Sequence, residues 1–453
     1  MPARIVIDNA AIATVDTADT EITAGHVVIE ASRVVAVGSG PAPEFGPGPS
    51  TRLIDGSGCL VTPGLINTHH HFYQWLTRGL AQESILFDWL VSLYPVWARI
   101  DEESVYAAAR GSIAALLLSG CTTAADHHYV YPRDGGDVLG ATVRAAGELG
   151  IRLHAARGSM DLGQSAGGLP PDYAVETIDG ISAACVRAVE DHHDPGPDAM
   201  VRIALAPCSP FSVTADLLRE SAELARSIGV RLHTHGSETV EEEQYCFEQK
   251  GVRPTDYLDS LGWLGDDVWM AHCVHMNDSD IARFAATGTG VAHCPSSNAR
   301  LGAGIAPVPE LLAAGVPVGL GVDGAASNES GRLGPELRAA LLFARARSGP
   351  DAMSARQALR LGTLGGAQVL GRETDLGSIE IGKLADLAVW RVDGASHSSI
   401  ADPVAALVLG GPPPLELLLV NGVPVVERGG LSTADLTAIA HDARAQSRRL
   451  LDV

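Results

Sequence analysis

His69-His70-His71 stands after Pro63-Gly64-Leu65-Ile66-Asn67-Thr68, at the end of an apolar, β-rich run. Side chains two apart on an extended strand point the same way, so His69 and His71 can hold one metal ion while His70 faces elsewhere. Taken alone, the triplet fits a chance cluster in a surface loop equally well. His233-Thr-His235-Gly-Ser-Glu238 repeats the pattern farther along. There His235 offers a third imidazole, and His233 reads better as a hydrogen-bonded core histidine. Glu238 falls just past the run, as an unligated acid or base. Ala271-His272-Cys273 and Gly319-Leu-Gly-Val-Asp323-Gly324 complete the series. Three neutral imidazoles and one carboxylate (His69, His71, His235 and Asp323) suit one Zn²⁺ with an open position for water; Fe²⁺ or Mn²⁺ also fits such a set.

One competing motif needs an answer. Gly319-x-Gly321-x-x-Gly324 satisfies a dinucleotide-binding pattern. That fingerprint belongs near the start of a strand-helix-strand unit, opening a helix, with an acidic residue about twenty positions on. Here it closes the last β-rich run and is followed by Ala-Ala-Ser-Asn-Glu-Ser-Gly, a loop, so it reads as coincidence. The H-x-E…P-C-x-x-C and H-E-x-x-H signatures of other hydrolytic folds are absent.

The elements that must position these groups follow from the alternation of runs. Short β-rich segments are expected at Val61–His69, Cys121–His127, Ile151–Arg157, Val201–Cys208, Val230–His235, Val268–Cys273, Gly290–Cys294 and Val316–Asp323. Helical spacing fills the gaps, as in Glu103–Ser119 and Ala215–Ser227. Strands alternating with helices imply a parallel sheet, and eight such units imply an α/β fold of the (β/α)₈ barrel type. Nearly every run ends in a chemically able residue: His69 and His71, Asp126 and His127, Arg157, Cys208, His235, His272, His293, Asp323. Barrel active sites lie at the C-terminal ends of the strands, where these residues fall.

The chain ends have a different texture. Ile5–Asp8, His26–Glu30 and Arg33–Val37 are β-branched runs broken by Gly and Pro, and the texture returns at Ala385–Trp390, Leu417–Gly422 and Val423–Glu427. Asn421-Gly422 between two such runs signals a hairpin. Both ends are therefore expected to form one small β-sandwich domain, residues 1–60 with 376–431, around a catalytic barrel over 61–375, with a terminal helix over 432–453.

Composition narrows the function. The 453 residues suffice for a barrel plus an accessory domain, and 46% hydrophobic against 19% charged residues allows a large core. A formal charge of −22 repels nucleic-acid backbones and anionic membranes, and leaves small neutral ligands open. No apolar run reaches the ~18 residues of a membrane span, and the N-terminus shows no signal peptide. The seven cysteines are scattered and odd in number, with no C-x-x-C pair, as expected of reduced thiols in a cytoplasmic protein.

Pro63-Gly-Leu-Ile-Asn-Thr-His-His-His71, His235…Glu238, Ala271-His-Cys273, Gly321-Val-Asp323-Gly324 and Gly377-Ser-Ile-Glu-Ile-Gly-Lys-Leu-Ala-Asp386-Leu together resemble the amidohydrolase superfamily. The branch is that of cytosine deaminases, guanine deaminases and chlorohydrolases, and the likeness spans essentially the whole chain. His70-His-Phe-Tyr-Gln-Trp-Leu-Thr-Arg78, Leu86–Trp97, Ala206-Pro-Cys-Ser-Pro-Phe211 and His293-Cys-Pro-Ser-Ser-Asn298 look most like 8-oxoguanine deaminases, which form uric acid and ammonia. Some relatives also deaminate isocytosine. Ala155-Ala-Arg-Gly-Ser-Met160 resembles triazine hydrolases as well, and a triazine or pterin amino- or chlorohydrolase is the alternative. In the triazine chlorohydrolase that the sequence resembles, the eighth-strand metal aspartate is replaced, so Asp323 favours deamination. Ser296 departs from the deaminase pattern, in which cysteine is usual. A non-catalytic barrel relative is a further alternative, though such proteins lose metal ligands that this chain keeps.

The resemblance implies roles. Asp323 would take a proton from water, His272 would orient that water, and Glu238 would protonate the ring nitrogen and then the leaving amine. Gln74 could pair with a purine carbonyl or ring N–H, and Trp89 and Tyr94 could form an aromatic wall. Arg157 could read the base or salt-bridge within the barrel mouth. Cys208 is expected near the pocket as a small hydrophobe, and His293 either touches the base edge or supports from behind. Relatives imply a homodimer or larger assembly.

Overall fold

A computed structural model describes residues 4–44 and 50–452 of the chain. Residues 1–3 and 45–49 of the expected β-domain, and residue 453 of the expected terminal helix, lie outside the described residues. The centre is a closed parallel barrel of eight strands: β1 (Leu65–Asn67), β2 (Cys121–His128), β3 (Arg152–Ser159), β4 (Val201–Pro207), β5 (Arg231–Gly236), β6 (Val268–His272), β7 (Gly290–His293) and β8 (Val318–Leu320). Leu320 pairs with Asn67 to close the ring. Helices cover the outside of the barrel and side chains fill its inside, which explains why these runs are apolar on both faces. Only the start of β4 and of β5 is partly open to solvent.

Both ends of the chain meet in a second, open sheet of nine strands. Arg4–Ala13, Glu21–Glu30 and Arg33–Ser39 form an antiparallel meander, and Leu387–Arg391 pairs antiparallel with Leu415–Val420. Val420 faces Val423 across the expected hairpin, whose turn residues Asn421 and Gly422 have φ 52° and 74°. Positive φ at both central positions is what a type I′ turn requires. The arrangement is that of a small sandwich domain beside the barrel.

One expected strand divides. Val61–His69 is not continuous: Cys59–Pro63 pairs with Leu387–Arg391 in the outer sheet, and only Leu65–Asn67 enters the barrel. The break falls at Gly64, where a Cβ would lie 2.2 Å from the Thr122 methyl group, so the chain crosses between sheets where only glycine fits. A buried ion pair joins the two sheets. The Arg152 guanidinium on β3 binds both oxygens of Asp386, at 3.2 and 3.0 Å, and Asp386 also accepts the Asn421 N–H at 2.7 Å.

Four helices matter for the site: α1 (Leu86–Trp97), α2 (Glu102–Leu117), α3 (Val240–Lys250) and α4 (Leu436–Leu451). Asp101 and Ser104 form a reciprocal capping box that starts α2. Among the described residues, no helix is long and apolar enough to cross a membrane.

Candidate metal centre and cavity

His69, His70 and His71 lie beyond β1, in the loop before a 3₁₀ segment, Phe72–Thr77. They are not on a strand, yet His69 and His71 still face one point. Each Nε2 lies 3.3 Å from Asp323 Oδ1, and His71 Nε2 lies 3.2 Å from His235 Nε2. Asp126 on β2 shapes this turn by accepting the Phe72 N–H at 2.7 Å. His70 turns away, its Nδ1 accepting the His71 N–H.

The hydrogen bonds behind these rings fix their tautomers. His71 Nδ1 donates to the His127 carbonyl and His235 Nδ1 to the Cys208 carbonyl, both at 2.6 Å. His233 Nδ1 donates to the Trp269 carbonyl at 2.9 Å, so its Nε2 is an acceptor and His69 Nδ1 donates to it at 2.8 Å. Burial holds His69 and His235 well below the ordinary imidazole range, and so neutral. With Nδ1 protonated, the His69 and His235 Nε2 atoms are bare lone pairs, and together with His71 Nε2 they converge near a carboxylate oxygen. The His69 Nε2 is buried without any hydrogen-bond partner. Such a convergence is repulsive unless a cation fills it, and three imidazole nitrogens with one carboxylate suit zinc.

Two overlapping donor groups, His69–His127–His235 and His69–His272–Asp323, share His69 and mark a single centre. His127 went without a role in the sequence reading. Its ring stacks on His235 at 4.8 Å, its Nε2 donates to the Ala206 carbonyl, and its Nδ1 is unpartnered. Only its position at the end of β2 signals it in the sequence.

Asp323 is braced by groups that the sequence did not single out. Its Oδ2 accepts Ser297 Oγ at 2.5 Å and Ser327 Oγ at 3.1 Å, and its Oδ1 accepts the Gly324 N–H at 2.6 Å. The glycines of the dinucleotide-like motif serve this packing. A Cβ on Gly321 would lie 2.9 Å from both Cys294 Sγ and His69 Cβ, and one on Gly324 would lie 1.8 Å from Gln74 Oε1.

Glu238 follows β5, buried. Burial, then the Asp323 and Glu242 carboxylates, push its pKa well above the usual range, which favours the protonated form. Its Oε2 lies 3.5 Å from His272 Nε2. His272 Nδ1 donates to Asn298 Oδ1 at 2.9 Å, leaving Nε2 as an acceptor toward the centre. The fully buried Glu242 of α3 holds the chain here, accepting the N–H groups of Ser237 at 3.0 Å and Glu238 at 2.7 Å.

A narrow cavity of about 30 Å³ opens on this centre. His71, His235, Glu238, His272 and Asp323 form its base, with Gln74, Trp89, Tyr94 and Cys208 around it. Leu86, Leu90, Tyr129, Phe211 and Leu301 complete the apolar wall and were not anticipated. Gln74 Oε1, Trp89 Nε1 and Tyr94 OH are buried without partners. Burial pushes the Cys208 thiol up to about 12, which keeps it neutral. Two expected contacts do not line the cavity. Arg157 is bound by Glu176 at 2.8 and 3.0 Å and lies over the Tyr131 ring, as the salt-bridge alternative required. His293 is buried near His272, with its pKa lowered to about 3 by burial.

The Amidohydrolase family model matches residues 60–424. The chain is 45% identical to 8-oxoguanine deaminase of Pseudomonas aeruginosa over 431 residues, 94% of this chain and 95% of that protein. It is 39% identical to hydroxydechloroatrazine ethylaminohydrolase of Pseudomonas sp. (strain ADP), covering 88% of this chain and 85% of the relative. Among solved structures, the zinc complex of atrazine chlorohydrolase from Arthrobacter aurescens TC1 superposes with a TM-score of 0.92 at 36% identity, over 98% of this chain and all of that one.

Proposed function

Because this chain belongs to the amidohydrolase family, we propose that it is a zinc-dependent aminohydrolase that converts 8-oxoguanine and water to uric acid and ammonia. The observation that carries this reading is a buried carboxyl group, Glu238, beside a single His/Asp metal centre and lining an aromatic cavity. The 8-oxoguanine deaminase relative supplies the choice of substrate.

In this reading His69, His71, His235 and Asp323 hold the metal. A zinc ion bound there supplies a Lewis acid that makes water acidic enough to be deprotonated near neutral pH. Asp323, ionised and braced by Ser297 and Ser327, takes that proton. His272, with Nδ1 committed to Asn298, keeps Nε2 as an acceptor to orient the water. Glu238 donates its proton to the ring nitrogen next to the amino-bearing carbon, C2 of the purine, which lets water oxygen add there. A proton then passes through Glu238 to the amine, which leaves as ammonia, and the C2–N bond is exchanged for C2–O.

Gln74 Oε1, Trp89 Nε1 and Tyr94 OH offer one acceptor and two groups able to donate. Left bare, each costs about 1–3 kcal/mol, so a planar base carrying both carbonyl and N–H edges is favoured as occupant. His293 supports the His272 side from behind, and Arg157 acts only on the barrel mouth. We further read the protein as a cytoplasmic homo-oligomer acting on a free base and not on nucleic acid. Seven buried free cysteines and the net charge of −22 support this.

The test is steady-state ammonia release from 8-oxoguanine by zinc-loaded enzyme, with isocytosine, guanine, isoxanthopterin and an amino-triazine in parallel. High kcat/KM on 8-oxoguanine, lost in Glu238→Gln, is expected. Turnover confined to a pterin or triazine would discard the substrate and keep the chemistry. No ammonia from any amine would discard both.

A further inference from the structure

A groove of about 560 Å³ runs between α4 and the barrel, apart from the cavity described above. The two linings share no residue. Ala114 and Ala115 of α2 with Ile439, Ala440 and Ala443 of α4 give it an apolar lining, and the Trp75 ring packs against Gly111. Arg78, Arg332, Arg444 and Arg448 stand around it, and no acidic side chain lines it. In a chain of net charge −22, most surface arginines are matched to a carboxylate. Among the described residues, none of these four is in an ion pair. Arg78 lies over the Trp75 ring, 3.6 Å from its centroid, and its Nη1 donates to the Glu329 carbonyl at 3.3 Å.

The spacing adds a second argument. Arg444 and Arg448 are i and i+4 on α4, and so adjacent on one helix face. Like charges so placed destabilise a helix by some tenths of a kcal/mol unless an anion lies between them. Arginine forks on both walls match phosphate oxygens in pairs. The apolar lining between the walls suits a flat body. Pockets for small ligands enclose about 300–1,000 Å³, and this groove is of that order.

We propose that the groove is a binding site for a phosphate-bearing small molecule with a flat, apolar body. Phosphate oxygens sit between Arg444, Arg448 and Arg332, and the flat part lies on the apolar lining beside Trp75. This assignment does not depend on the reaction proposed for the catalytic cavity.

The test uses AMP and inorganic phosphate as probes, titrated calorimetrically into zinc-loaded, full-length enzyme at low and high salt. AMP is expected to bind one per chain, more weakly as salt rises, and about tenfold or more tighter than inorganic phosphate. The double variant Arg444→Ala/Arg448→Ala is expected to weaken AMP about tenfold or more. Alanine is the strongest helix former and both sites are exposed, so an unchanged melting curve is the folding control. Three results overturn the proposal: no AMP binding at millimolar concentration, AMP binding unchanged in the double variant, or phosphate binding as tightly as AMP. A dimer that dissociates in the double variant, without AMP binding to wild type, would give the groove to a second copy instead.

Discussion

Glu242→Gln tests whether the proposed acid at Glu238 depends on a carboxylate that never touches the substrate. Glu242 is the third residue of α3 and is fully buried, and its two oxygens accept the N–H groups of Ser237 and Glu238. Ser237 has φ 52°, an unfavourable conformation for a residue other than glycine, so these bonds hold a strained turn as well as the acid. Glutamine keeps one amide oxygen for one N–H and turns an NH₂ group toward the other. A hydrogen bond to a charged acceptor contributes about 1.5–3 kcal/mol. At about 1.4 kcal/mol per decade, its loss at the reacting geometry lowers kcat roughly 10- to 100-fold. A second readout separates positioning from mere stability. The Glu242 charge is one cause of the raised Glu238 pKa, so removing it lowers that pKa. Glu238 acts protonated, so activity at the alkaline end must then fail at lower pH than in wild type. The assay is kcat and KM for deamination from acid to alkaline pH, with a melting curve beside it. A kcat within twofold of wild type and an unmoved alkaline limb, despite a lower Tm, would refute the reasoning.

Three further outcomes follow from neighbouring contacts. Ser297→Ala removes the 2.5 Å hydrogen bond to Asp323 Oδ2 and should weaken metal affinity about 10- to 100-fold, read by competition with a chromogenic chelator; unchanged affinity would remove Ser297 from the site. Trp89→Phe keeps an aromatic ring but removes the pyrrole half of the indole with its unpartnered N–H, so KM should rise about tenfold; an unchanged KM would mean that Nε1 does not meet the substrate. Glu336, pushed up to about 7 by burial, binds a proton in the folded chain that the unfolded chain releases near pH 4.5, so it weakens the fold as pH rises between those values. The Tm of Glu336→Gln should therefore gain on that of wild type from pH 5.5 to 8, and a difference independent of pH would refute the raised value.

Much of the architecture is legible in the sequence because burial writes it there. Strands covered on both faces must be continuously apolar, and the β-branched runs at the two ends must find each other to hide their edges. The hairpin at Asn421-Gly422 was legible for a local reason, since few other pairs adopt positive φ twice. The misreading at Val61–His69 has an equally local cause. Composition is the same on both sides of Gly64, and only the approach of Thr122 from β2 shows that the chain changes sheets there. Nothing within the run records a neighbour fifty-eight residues away.

The site divides along the same line. Histidines, Glu238 and Asp323 stand out by type, because a metal needs lone pairs and few other roles gather them at strand ends. The conformations that aim them do not stand out. Ser237, His272, Cys273 and Asp323 all have positive φ, between 49° and 74°, just where β5, β6 and β8 end. Each costs about 1–2 kcal/mol locally, so the sequence argues against the backbone it adopts. Bonds between the turned ends hold it: Cys273 N–H to the Gly236 carbonyl, Val274 and His275 N–H to that of Ser237, and Asp323 N–H to that of His69. Strain of this kind is stable only where several elements determine it together. Among the described residues, eight other non-glycine positions with positive φ lie elsewhere in the chain, so the strain marks these turns only together with the ligands they carry. It also means that a variant which relaxes one of these turns should lose metal and activity before it loses the fold.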